Sequence, residues 1–132
     1  MVEDKADGPV EVREIITEIS VSNLERSKEW YTKFFGKGID LEPFKGNLEW
    51  RLGGGWVQIS EGKVRPSSWG LRIEVRDAVR EHDRLHRAGI AVKEVKTVPD
   101  TIRYFGIRDP DDNDILFFQV LTKDPKVTGG RD

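Results

Sequence analysis

The stretch "ISVSNLERSKEWYTKFFG" (Ile19–Gly36) carries two periodicities and the junction between them. Around its start, "EIITEISVS" (Glu14–Ser22) alternates. Thr17, Ile19 and Val21 point one way and Ile16, Glu18 and Ser20 the other, the two-residue period of a half-buried strand. Asn23 suits the capping position of a helix. After it Leu24, Ser27, Trp30, Tyr31, Phe34 and Phe35 recur at helical spacing on one side. Gly36 and Gly38 end that helix. Three short strand candidates follow, "IDLEPF" (39–44), "LEWRL" (48–52) and "WVQIS" (56–60), parted by the turn signals "KGN" and "GGG".

The order then repeats. "WGLRIEVRD" (Trp69–Asp77) sets Leu71, Ile73 and Val75 against Gly70, Arg72 and Glu74. Asp77 heads a second helix through "AVREHDRLHRA", which Gly89 ends. "IAVKEV" (90–95), "RYFGIR" (103–108) and "DILFFQV" (114–120) are the next strand candidates. Ile19-x-Val21-x-Asn23 matches Ile73-x-Val75-x-Asp77, and Gly38-Ile39 matches Gly89-Ile90. The period is roughly fifty residues, the size of a duplicated supersecondary unit. Each unit reads strand–helix–strand–strand–strand, an α+β architecture. One unit alone leaves a sheet face bare, so the two pair within the chain or across a dimer. The expected organisation is an N-terminal tail over 1–13, one domain over 14–122 with modules at 14–62 and 68–122, and a C-terminal tail over 123–132.

Composition narrows the function classes. A chain of 132 residues with 36% hydrophobic and 35% charged residues suits a single globular domain with a well-solvated exterior. The formal charge is −2 and the basic residues are scattered, so there is no footprint for nucleic acid or an anionic membrane. No apolar run approaches a membrane span, and the acidic start "MVEDKADGPVE" is unlike a secretory signal or a transit peptide. The absence of cysteine removes disulfides, thiolate metal sites and cysteine nucleophiles. A cytoplasmic location is the expectation.

The segment "FGIRDPDDNDILFFQ" (Phe105–Gln119) asks whether its aspartates bind a metal. Asp109-x-Asp111-x-Asn113 imitates the opening of a helix–loop–helix calcium site. That site needs glycine at its sixth place and glutamate at its twelfth, where Asp114 and Val120 stand. A turn accounts for more: Pro110 presets φ, Asp109 and Asp111 can accept from local N–H groups, and Asn113 tolerates a left-handed conformation. His82 and His86 are four residues apart on the second helix, but no third ligand is apparent and a structural role is expected.

Three segments together resemble the vicinal oxygen chelate superfamily, which includes glyoxalase I, bleomycin-resistance proteins, fosfomycin-resistance enzymes and extradiol dioxygenases. They are "ISVSNLERSKEWYTKFFG", "GLRIEVRDAVREHDRLHRAGI" (Gly70–Ile90) and "FGIRDPDDNDILFFQ". The resemblance covers residues 14 to 121 and implies two βαβββ modules forming a cupped mixed sheet, the glyoxalase/bleomycin-resistance fold. Asp112 stands where the superfamily commonly has glycine, so strain is expected there. Many members hold a divalent metal in the cup. The positions that would supply its ligands fall on Ile16, Gly70, Leu116 and, on the fourth strand, Gln58 or Trp56. Three of these four lack a side-chain donor, whereas a catalytic divalent ion needs at least three N or O ligands.

The resemblance therefore implies a member without the metal site and without a cofactor. The expected function is metal-independent binding of an aromatic or amphipathic small molecule in the cup, by a homodimer. Glu18, Trp50, Trp56, Gln58, Arg72, Glu74, Leu116 and Phe118 are the expected lining, with Trp69 a further stacking surface. Arg72, Glu18 and Glu74 equally satisfy one another at a cross-strand or dimer seam. The alternatives are a divergent lyase, isomerase or dioxygenase-like enzyme, using a cup carboxylate or another metal site, and an interaction subunit whose cup is filled by its own side chains.

Overall fold

The structure is a computed structural model and describes residues 8–66 and 70–129. Its elements are β1 (Ile16–Val21), α1 (Leu24–Phe35), β2 (Leu41–Phe44), β3 (Asn47–Leu52), β4 (Gly55–Glu61), β5 (Leu71–Glu74), α2 (Ala78–Arg87), β6 (Lys96–Val98), β7 (Ile102–Arg108), β8 (Asp114–Val120) and α3 (Pro125–Thr128). They form two four-stranded mixed sheets of the same topology, ordered β1-β4-β3-β2 and β5-β8-β7-β6. In each, the first strand runs parallel to the last, and the last three form an antiparallel meander. The fold class is the expected α+β duplication.

The strand–helix junctions repeat down to single hydrogen bonds. The Asn23 side chain accepts from Arg26 N at 3.0 Å and the Asp77 side chain from Arg80 N at 3.1 Å, each satisfying one orphan donor of the first helical turn. A second orphan is met from the parallel partner strand. Leu24 N donates to Glu61 Oε1 and Ala78 N to Gln119 Oε1, both at 2.9 Å. Each helix start is thus tied to the strand beside it.

The core lies between helices and sheets and is shared by both modules. Val21, Leu48, Trp50 and Ile59 of the first sheet, with Tyr31 and Phe34 of α1, join Ala78, Leu85, Phe105, Ile107, Ile115 and Phe117. Phe34 stacks on Phe117 with ring centroids 5.1 Å apart, an aromatic contact between modules that runs from α1 to β8. Arg84 on α2 donates to the carbonyls of Lys33 (3.1 Å) and Phe34 (2.7 Å), at the end of α1 where carbonyls lack intrahelical partners.

The structure corrects several expectations. The strand read at 90–95 is instead β6, three residues long at Lys96–Val98, and only an isolated bridge joins Val92 to Ile107. The reason is the end of α2. Gly89 takes φ +83 and Ile90 N reaches back to the Leu85 carbonyl at 3.0 Å, a left-handed stop that commits Ile90 to the core. In the acidic hairpin the left-handed residue is Asp112 (φ 65) and not Asn113. Asn113 is buried, its main-chain and side-chain N–H groups both bonded to the Asp109 carboxylate. Within 123–132, read as a tail, Pro125–Thr128 form one helical turn. No helix among the described residues is long and apolar enough to cross a membrane.

Candidate functional site

β1 pairs only with β4 and β5 only with β8, so each sheet turns a free strand edge toward the other. Two adjoining cavities of about 460 Å3 and about 390 Å3 occupy that seam, and both are lined by Thr17 and Leu71. Glu18, Ser20, Lys63, Arg65, Gly70 and Asp114 line the first. Gly53, Gly54, Trp56, Arg72 and Glu74 line the second. The volumes suit a small organic molecule, and the lining mixes apolar surface with a few polar groups.

Of the residues read from the sequence as lining, the seam gathers Glu18, Trp56, Arg72 and Glu74. Glu18 accepts from Ser60 Oγ at 3.3 Å, and Trp56 carries the Arg51 guanidinium 5.4 Å from its ring centroid. Gln58, Leu116 and Phe118 share the faces of Glu18, Arg72 and Glu74, paired with them across one strand, but line neither cavity. The Gln58 amide donates to Glu49 at 2.9 Å. Trp50 is a correction: it is fully buried on the opposite face. It pairs with Val57, packs against Tyr31 and Phe35, and donates its indole N–H to the Lys37 carbonyl at 3.0 Å. Its ring is therefore core and closed to a ligand. Trp69 lies outside the described residues.

Lys63, Arg65, Asn113 and Asp114 were missed as lining. Lys63 and Arg65 sit on the segment joining β4 to β5, which has no periodicity to mark a face. The available signal was topological, since a chain passing from one edge-to-edge module to the other crosses the seam.

The acidic hairpin holds the seam's first cavity in place. The buried Asp109 carboxylate accepts from Tyr31 Oη at 2.7 Å, Asp111 N at 2.9 Å, Asn113 N at 2.8 Å and Asn113 Nδ2 at 2.9 Å. Burial, then the Asp109 carboxylate, hold the Tyr31 phenol far above the usual tyrosine range. Asp111 reaches the β1–α1 junction, accepting from Ser22 N at 3.1 Å and Arg26 Nη2 at 3.2 Å. These aspartates are spent on a clamp between modules, their oxygens taken up by protein donors.

The four positions that the resemblance assigns to a metal supply few donors in this geometry. Ile16 pairs with Trp56 and Leu116 with Arg72, and Gly70 lines the first cavity, so three of the four positions present no donor. Among the described residues no three His, Asp or Glu side chains form a group able to hold a metal ion. His82 meets the Phe105 ring edge-on at 5.3 Å with its Nδ1 3.1 Å from Asp83, and His86 is exposed. The residues present do not fit the metal donor set.

No family model matches the sequence. No curated protein sequence matches it significantly. Solved structures do match. A glyoxalase/bleomycin resistance protein from Catenulispora acidiphila superposes with TM-score 0.72 at 19% identity, over 81% of this chain and 97% of that one. TnmS3, an antibiotic binding protein from Streptomyces sp. CB03234, gives 0.69 at 23% identity, over 86% and 99%. Lactoylglutathione lyase from Agrobacterium tumefaciens gives 0.67 at 14% identity, over 84% and 95%. Binding proteins and enzymes thus share this architecture, and at such identities the likeness is one of fold. Two βαβββ modules, their paired caps and these superpositions together show that the chain has the glyoxalase/bleomycin-resistance fold.

Proposed function

We propose that this protein is a metal-independent small-molecule binding protein whose ligand lies in the seam between β1 and β5. The observation that carries the reading is the pair of adjoining cavities, which bring Glu18, Trp56 and Arg72 to one continuous cleft. The missing donors at Ile16, Gly70 and Leu116 support metal independence. TnmS3, described as an antibiotic binding protein, supports binding as a use of this fold. A homodimer belongs to the same reading and is tested by light scattering.

The test is a panel of aromatic and glycopeptide antibiotics titrated against tryptophan fluorescence, in the parent protein and in Ser20→Phe, which narrows the first cavity. Saturable quenching that Ser20→Phe weakens supports the reading. Quenching untouched by Ser20→Phe, or no quenching by any compound, counts against it. Stoichiometric nickel, zinc, iron or manganese in protein purified without added metal would overturn metal independence.

A further inference from the structure

We infer that the ligand of this cleft is an anion with a flat apolar body, selected by Lys63, Arg65 and Arg72. The inference rests on the cleft being the binding site and names the chemical class it takes. The chain as a whole is negative, with a formal charge of −2. The seam departs from that balance. Lys63 and Arg65 line the first cavity and Arg72 the second, and none of the three makes an ion pair or side-chain hydrogen bond among the described residues.

Some of the cations elsewhere are paired. Arg26, Lys33, Lys37, Arg51, Arg84 and Arg108 each have a carboxylate partner. The carboxylates of the cleft are also engaged. Asp114 is bonded to Arg108 Nε at 2.9 Å, and Glu18 accepts from Ser60. With Asp114 neutralised by Arg108, the remaining lining charges are Lys63, Arg65 and Arg72 against Glu18 and Glu74, a small positive excess that comes with unused N–H donors. In a concave site such an excess is focused by the low-dielectric walls. Two of the three groups are guanidinium forks, which match a carboxylate, phosphate or sulfonate with paired hydrogen bonds. Trp56, half-buried beside Arg72 in the second cavity, supplies the surface for a planar apolar group. Three cations confined to one cleft of an acidic protein do not make the basic stripe that nucleic acid requires.

The experiment uses two dyes that share a ring system, the anionic anilinonaphthalene sulfonate and the uncharged phenylnaphthylamine. Both are titrated into the parent protein, Lys63→Ala/Arg65→Ala, Arg72→Ala and Ser20→Phe, with melting temperatures recorded as a control for folding. The parent is expected to prefer the sulfonate dye at low salt. The double variant should bind it about tenfold more weakly while phenylnaphthylamine stays within about twofold, the size expected for losing charged hydrogen bonds. Added salt should erode the sulfonate preference of the parent and not that of the double variant. Equal affinity for both dyes in the parent, or a sulfonate affinity unmoved in the charge variants, overturns the anion inference and leaves the cleft standing. Dye binding indifferent to Ser20→Phe overturns the cleft itself.

Discussion

The β3–β4 turn and the β7–β8 turn occupy the same place in their modules and do opposite things. The first is Gly53-Gly54, exposed, with open space around both α-carbons, and it forms part of the wall of the second cavity. The second runs from Asp109 to Asn113 and is heavily bonded, with Asp109 and Asp111 tied to Tyr31, Ser22 and Arg26 of the other module. One end of the seam is clamped and the other left open. Duplication supplies two equivalent positions, and divergence at a handful of residues makes one a fastener between modules and leaves the other exposed. The helices differ in the same sense. α1 buries Tyr31 and Phe34 and stacks Trp30 on Phe34, whereas α2 buries only Ala78 and Leu85 and closes with Arg84 on the end of α1.

That contrast can be broken most severely at Asp109. Asp109→Ala strands the Tyr31 hydroxyl and the Asn113 N–H groups in the interior, and a loss of about 3 kcal/mol is expected from urea unfolding. A loss no larger than that of an exposed aspartate would mean the hairpin is no clamp. Tyr31→Phe removes one bond only, with an expected cost of about 1 kcal/mol at neutral pH. The sign of its pH dependence follows from the raised phenol. Below the unfolded-state value of about 10 both states keep the proton and the contribution is complete. Above it the unfolded chain ionises while the folded phenol does not, so stability is lost as pH rises. The gap between parent and Tyr31→Phe should accordingly shrink from about pH 9.5 upward, and a gap that stays constant to about pH 11 sinks the assignment. The smallest effects come from exchanging turn chemistry. Asp112→Gly relieves a left-handed φ but adds unfolded-state entropy, for a net gain of about 0.5 kcal/mol. Gly54→Ala, meeting nothing within reach, should stay within about 0.5 kcal/mol of the parent, and thermal melting checks both.

Much of the fold is legible in the chain because its signals are local. The alternation of Ile16–Val21 and of Leu71–Glu74, the caps Asn23 and Asp77, and the aromatic stripe of α1 each depend on neighbours within a few residues. The candidate site is legible only in part. Glu18, Arg72 and Glu74 followed from alternation on the two strands that border the seam. Trp50 did not, although Leu48, Trp50 and Leu52 share one face of β3. Only the pairing of Trp50 with Val57 turns that face to the core. Lys63 and Arg65 lie in a linker without period, so nothing near them marks what they face.

Local sequence determined the two modules, their order, their capped helices and the lack of metal donors at Ile16, Gly70 and Leu116. Those properties live in residue type and in periods of two and about 3.6 residues, which persist whatever the rest of the chain does. Tertiary structure decided where the cleft lies, which of two apolar faces is core, and that the aspartates of the hairpin bind a tyrosine and a serine of the other module. These depend on side chains that meet across long stretches of chain, such as Tyr31 with Asp109 and Ser22 with Asp111. Such meetings are fixed by long-range packing, which no local period encodes.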